Sequence, residues 1–348
     1  MSNATSDALQ DSLRRLLTSE IPHSAATSGP KEGWHQRLWS EMEALGMTAV
    51  AAEYGDEGRV MAAGVLAEIG RCAAVVPYLE HDFLAGWLLS MTDLVQSSNA
   101  IHTTALLGPG STCSVRRKPG GWILNGQLDR VPFARIADAV VIVFEHEQRN
   151  WGMRLPIAMA RLRESKNLAD EPRDDLLFDK VEVTADQVAL LPDQITVEHV
   201  RARGALGRSF QMVGALERAI TLSNEYARVR VQFGRSLSQF QVIQGYIAEV
   251  VGEVCAARVM CETALQANSV EEIAAAKIRV GLAARTVAER SHQIHGAIGF
   301  TREYALHLAT RRLWSWRDEF GSEAFWSERL GRRIAEIGAD QMWARMTG

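Results

Sequence analysis

From Trp314 to Trp326 the chain reads WSWRDEFGSEAFW, which sets Asp318 and Glu319 among three tryptophans. Burial among aromatic rings disfavours a charged carboxylate and raises its pKa, which suits a general base acting on a weak carbon acid. The same residues would also make a helix terminus, with Arg317, Asp318 and Glu323 paired on a solvated face and the tryptophans filling a core. A second stretch, RVRVQFGRSLSQFQVIQGY from Arg228 to Tyr246, clusters Arg228, Arg230 and Arg235 around Phe233-Gly234. Guanidinium forks match phosphate oxygens and helix N-termini attract anions, so a turn here, ahead of a helix starting near Ser238, suits a pyrophosphate. A plain basic connection between two helices has the same composition.

The elements that must hold these residues follow from periodicity. Residues 13–17, 34–47 and 59–76 carry apolar positions at helical spacing, and the apolar run FLAGWLLSM at 83–91 adds another helix. SAATSGPKEG at 24–33 has the composition of a loop. After residue 100 the texture changes to short β-rich runs: IHTTALL, WILNGQLDRVPF with Asn125-Gly126 as a hairpin signal, DAVVIVFEHE and LLFDKVEVT. From about residue 198 long helices return. Ile243, Ile247, Val250 and Val254 form one stripe, and similar stripes run through 208–229 and 272–293. The order is α, β, α, an α+β chain with expected domains at 1–100, 101–197 and 198–348.

At 348 residues and 47% hydrophobic composition, the chain has enough apolar material for two or three layered domains. A formal charge of −4 gives no basic footprint for nucleic acid or an anionic membrane. Cys72, Cys113, Cys255 and Cys261 have neither metal-site nor disulfide-framework spacing, so no metal is expected. With no apolar leader and no run long enough to cross a bilayer, the expectation is a cytoplasmic protein.

Two matched segments carry a family resemblance. Arg230-Val-Gln-Phe-Gly234 followed by Phe240-Gln241, and Gln293-Ile-His-Gly-Ala-Ile-Gly-Phe-Thr301 followed by Glu303-Tyr304, resemble the flavin-binding segments of the FAD-dependent acyl-CoA dehydrogenase family. Gly121–Gly126, Ala137–Val141 and Leu177–Asp179 resemble strands of its middle domain. The resemblance implies an N-terminal helical domain, a central antiparallel β domain and a C-terminal four-helix bundle, assembled as a tetramer. By the same resemblance Arg230 would reach the FAD pyrophosphate of a neighbouring subunit. Gln232 and Phe233 would line the ADP half, with Gln241 close by, and Gln293, Gly296 and Ala297 would meet the adenine side through backbone. The implied reaction is α,β-dehydrogenation of an acyl-CoA thioester: a carboxylate takes the α-proton and the β-hydride passes to FAD, with electron-transfer flavoprotein or a similar acceptor downstream.

Counting from His295-Gly296, the family's usual base position falls on Phe320, followed by Gly321 and Ser322; Glu319 is one residue early. The alternative base position, counted back from Arg230, falls near Gly204 and holds no acid. The flavin loop is represented by a degenerate TALLGPGSTCS at 104–114. Glu319 is therefore the expected base, with Asp318 its rival, in a homotetramer or as the active chain of a heterotetramer. The alternative is a non-catalytic chain that completes the FAD site of a heterotetramer with a homologous partner.

Overall fold

The computed structural model describes residues 3–21, 30, 33–94, 100–108, 110–338 and 341, with side chains from Asp11 onward. The expected loop at 24–33 lies largely outside the described residues. The N-terminal helices are α1 (Asn3–Glu20), α2 (Gln36–Ala44), α3 (Val50–Glu53), α4 (Gly55–Cys72), a π-helix (Leu79–Gly86) and the short α5 (Trp87–Leu89). The helix expected at 83–91 thus begins earlier and is mostly π. That form is rare and favoured at functional sites. It carries two acids, Glu80 and Asp82, into the interior at 1% exposure each.

Two four-stranded sheets follow. One is built from β1 (His102–Leu106), β4 (Ala139–His146), β5 (Arg149–Pro156) and β8 (Val188–Leu190), in that order. The other runs β2 (Ser114–Lys118), β3 (Gly121–Pro132), β7 (Arg173–Thr184), β6 (Arg161–Arg163). All pairings are antiparallel except β1 with β4, which run parallel. The run AVVIVF in β4 is apolar throughout because both its faces are buried. Val140, Ile142 and Phe144 face the second sheet, while Val141 and Val143 join the helical core.

Asn125-Gly126 is not a hairpin turn. The β2–β3 turn lies at Pro119-Gly120, and Asn125-Gly126 sits inside β3 at a β-bulge against β7. Gly126 has φ +119°, and a Cβ there would stand 2.2 Å from the Thr112 carbonyl oxygen. Asparagine-glycine tolerates positive φ in a bulge as readily as in a turn, which is why the dipeptide misleads.

Helix α6 (Val197–Val229) is the axis of the molecule, buried along most of residues 200–216. A two-residue-per-strand hairpin, β9 (Val231–Gln232) and β10 (Arg235–Ser236), leads into α7 (Gln241–Ala267) and α8 (Val270–His295). Helices α9 (Leu306–Trp316) and α10 (Glu323–Ile337) close the bundle against α6 and α8. Among the described residues, no helix is long and apolar enough to cross a membrane.

Candidate active site and cofactor contacts

A cleft of about 830 Å³ opens between the β sandwich, the N-terminal end of α6 and the α9–α10 connection. Gly108, Gly110 and Ser111 of the degenerate loop line it, as do Arg201, Trp314 and the segment Asp318–Phe320. The connection has a defined turn: Glu319 N–H donates to Trp316 O at 3.2 Å and Gly321 N–H to Asp318 O at 3.3 Å. Phe320 and Gly321 both take positive φ, +57° and +109°. Ser322 caps α10 by accepting from Phe325 N–H at 3.3 Å. Gly321-Ser322 therefore has a structural use, as a left-handed turn and a helix cap.

That turn sends three consecutive residues in three directions. Asp318 is exposed at the wall of the cleft. Glu319 turns inward, where Arg173 Nε donates to its Oε1 at 2.8 Å and Arg173 Nη2 to its Oε2 at 3.1 Å. Arg208 Nη2 lies 2.7 Å from the same Oε2. Phe320 lies over α6: a Cβ added to Gly204 would meet the Phe320 ring at 2.4 Å.

The Glu319 cluster continues into a larger buried network. Arg208 also holds Glu80 of the π-helix at 2.8 Å, and Arg173 holds Glu171 at 3.1 Å. Glu171 accepts from Trp316 Nε1 at 2.8 Å and lies 3.1 Å from Arg312 Nε. Burial alone would push Glu319 up, but the two guanidiniums outweigh it and hold the carboxyl down to about 2. The upward tuning expected from the tryptophans does not occur, because arginines and not rings contact the carboxylate. Glu80 is raised by its burial, partly offset by Arg208 and Arg173. Behind the network, Lys277 donates to Trp316 O at 2.8 Å, and burial lowers it to about 7.

Both positions at which the resemblance places a base, Phe320 and Gly204, are thus in mutual contact and carry no acid. The space beside them is closed as well. Leu79 and Phe83 of the π-helix pack so closely on α6 that a Cβ at Gly207 would stand 2.4 Å from Leu79 Cδ1 and 2.9 Å from Phe83 Cδ1. Of the expected pairing in this window, Arg317 with Glu323 forms. Arg173, Glu80 and Glu171 belong to the network beside the candidate site, and the sequence alone did not single them out. Glu80 left a signal, since an acid inside the apolar run YLEHDFLAGWLL needs a buried partner. Arg173, on a strand far away in sequence, left none.

The expected cofactor contacts gather at the opposite end of α6. Tyr226 stacks on His295 with ring centroids 4.6 Å apart, and Ile294 packs with Ala227 and Ile243. These contacts bring the 230–241 segment beside Gln293, Gly296 and Ala297. In the hairpin, Phe233 and Gly234 take φ +51° and +79° to turn the chain. Phe233 is 93% exposed. Arg230, Gln232, Gln241, Gln293, Gly296 and Ala297 are all exposed too. Gly296 ends α8 at φ +63°, and the space where a Cβ would stand is open for 4 Å around. An exposed arginine beside two open backbone segments fits the adenine and pyrophosphate half of FAD. The cleft, with Phe320 on Gly204 and a degenerate 104–114 loop, offers the flavin ring a poorer fit.

These contacts cannot reach the chain's own cleft. Arg201 and Arg230 bracket nearly all of α6, which at a rise of about 1.5 Å per residue separates them by about 43 Å.

Comparisons with known proteins agree in the C-terminal half and over the whole fold. Residues 200–335 match the family described as acyl-CoA dehydrogenase, C-terminal domain. The chain is 27% identical over 314 residues to the acyl-CoA dehydrogenase IpdE2 of Mycobacterium tuberculosis, covering 87% of this chain and 89% of that one. Its fold is similar to that of the ChsE4-ChsE5 complex from Mycobacterium tuberculosis, with a TM-score of 0.88 at 20% identity, over 97% of this chain and 99% of the other. It is also similar to the Tcur3481-Tcur3483 steroid ACAD, with a TM-score of 0.85 at 20% identity over 96% and 98% of the two chains.

Proposed function

Because the chain belongs to the acyl-CoA dehydrogenase family of oxidoreductases, we propose that it is the partner subunit of a heterotetrameric, FAD-dependent acyl-CoA dehydrogenase. In this reading it completes the flavin site of a homologous chain and leaves proton abstraction to that chain. The observation that carries it is the contact of the Phe320 ring with Gly204, which fills both base positions with groups that cannot take a proton.

Arg230 donates to the pyrophosphate across the subunit interface, and Gln232, Phe233 and Gln241 flank the ADP half. Gln293, Gly296 and Ala297 meet the adenine side through exposed backbone. FAD, when bound, supplies the acceptor for the hydride that leaves Cβ of the thioester. The α-proton goes to a carboxylate of the homologous chain, and electron-transfer flavoprotein or a similar acceptor takes the electrons onward. Within this chain Glu319 is a positioning carboxylate: held at about 2, it has little basicity for an α-C–H. Its two arginines tie α6 and β7 to the α9–α10 turn. A bulky acyl group, such as a steroid side-chain thioester, agrees with the similarity to the Tcur3481-Tcur3483 steroid ACAD.

One observation favours a second reading. Asp318 is exposed at the cleft wall, free of the arginine cluster, and would serve as base in a self-sufficient tetramer. The two separate in one assay. The chain purified alone, given acyl-CoA and an artificial electron acceptor, is expected to show no turnover. Co-purified with a homologous chain that has a glutamate at the usual position, it should retain FAD and turn over. Turnover by the chain alone that is lost in Asp318→Asn would establish the second reading instead.

A further inference from the structure

Arg203 stands apart from the networks described above. It is 8% exposed, and its guanidinium carbon lies 4.4 Å from the ring centroid of Phe83 and 4.1 Å from that of Trp87. Nε donates to Phe83 O at 2.7 Å, but Nη2 has no hydrogen-bond partner. Among the described residues, no carboxylate lies within ion-pair distance of it. The two acids that feel its charge are engaged elsewhere. Both oxygens of Asp82 accept from Ala51 N–H at 3.0 Å, and Asp56 pairs with Arg59 at 3.3 Å. A buried cation in that condition is costly unless an anion joins it. Burial between the rings, with Arg59 nearby, lowers Arg203 to about 9.

Arg203 also lines a cavity of about 380 Å³ where α5, the start of α6 and the α7–α8 connection meet. The cavity is separate from the cleft. Arg201 lines the cleft and Arg203 this cavity, and residues two apart on a helix face different sides. The remaining walls are mainly apolar, with Trp87, Met91, Ile195 and Ile273 among them. Asp56 at the edge adds a negative charge, which admits a singly charged ligand more readily than a phosphate dianion.

We propose that this cavity binds an apolar monocarboxylate, its carboxylate pairing with the Arg203 guanidinium where that side chain lines the wall and its hydrocarbon body lying against Trp87, Met91, Ile195 and Ile273. The volume falls within the range of small-molecule sites, and one placed cation in an apolar pocket is how such sites fix orientation. The site does not depend on which chain supplies the base.

Octanoate and its neutral counterpart octanamide test it, titrated by calorimetry into the full chain, alone or in its complex. Octanoate should saturate at one per chain and bind roughly tenfold or more tightly than octanamide, the worth of one charge-assisted hydrogen bond. Arg203→Met should erase that preference. Met91→Trp, which keeps the cation and fills the cavity from its half-buried edge, should weaken octanoate; it guards against Arg203→Met failing to fold. Arg201→Ala should leave octanoate binding unchanged. Equal binding of the two probes, binding of neither, full binding by Arg203→Met, or loss in Arg201→Ala would each overturn the proposal.

Discussion

At the N-terminal end of α6, Gly204 lies under the Phe320 ring while Arg208 and Arg173 share Glu319 deep in the interior. At its C-terminal end the sequence is just as rich in arginine, yet Arg230, where α6 ends, and Phe233, on the turn of the β9–β10 hairpin, stand in solvent. One end turns its charges onto its own chain; the other holds them out. Internally satisfied charges are poor candidates for chemistry, whereas exposed guanidiniums and aromatics beside open backbone are suited to a ligand held between chains. Under the proposed function, this contrast corresponds to a chain that meets the flavin from its far end and leaves the acid to its partner at its near end.

The largest expected effect comes from breaking the near end. Glu319→Gln leaves two buried guanidiniums without their shared carboxylate and should cost about 3–5 kcal/mol in urea unfolding. The pH dependence has a definite sign. Glu319 is held at about 2 when folded, below its ordinary 4.5, so the unfolded chain binds more protons between those values. Its contribution is fully present above about 4.5 and is lost as pH falls toward 2. The variant should lose that acid limb of the stability curve. A stable Glu319→Gln that abolished turnover would instead make the near end catalytic.

The far end should behave in the opposite way. Arg230→Ala is expected to leave unfolding within about 0.5 kcal/mol of the parent, since the residue is exposed. In the complex, it should weaken flavin retention by about 1.5–3 kcal/mol, read by the absorbance of bound flavin after dialysis. Unchanged flavin content would remove the basis for the comparison.

The far end was legible in the sequence because its residues are local: RVQFG and the segment from Gln293 to Thr301 are each read from contiguous positions. The α, β, α order was legible from periodicity. The near end was not, because Glu319 owes its state to Arg173 and Arg208, which lie 146 and 111 positions away by their numbers. Three tryptophans suggested an apolar pocket, whereas Trp314 is 38% exposed and only Trp316 and Trp326 are buried. Phe320 and Gly204, the two positions reached by counting, lie in contact, but counting carries nothing about how Glu319 turns.

Two smaller effects sharpen the near end. Gly204→Ala drives a methyl into the Phe320 ring and should cost about 1–3 kcal/mol. Pairing it with Phe320→Ala should recover part of that loss in a double-mutant cycle, and strict additivity would mean the two do not touch. Lys277→Met should have the smallest effect at neutral pH, within about 1 kcal/mol, because Trp316 O keeps the Glu319 N–H as a donor. Its signature lies at higher pH. Lys277 is lowered to about 7 from 10.5, so between those values the unfolded chain binds more protons and the parent's stability should rise with pH. The methionine variant should lose that slope while keeping the acid limb due to Glu319, which separates the two buried charges of one network by the pH at which each acts.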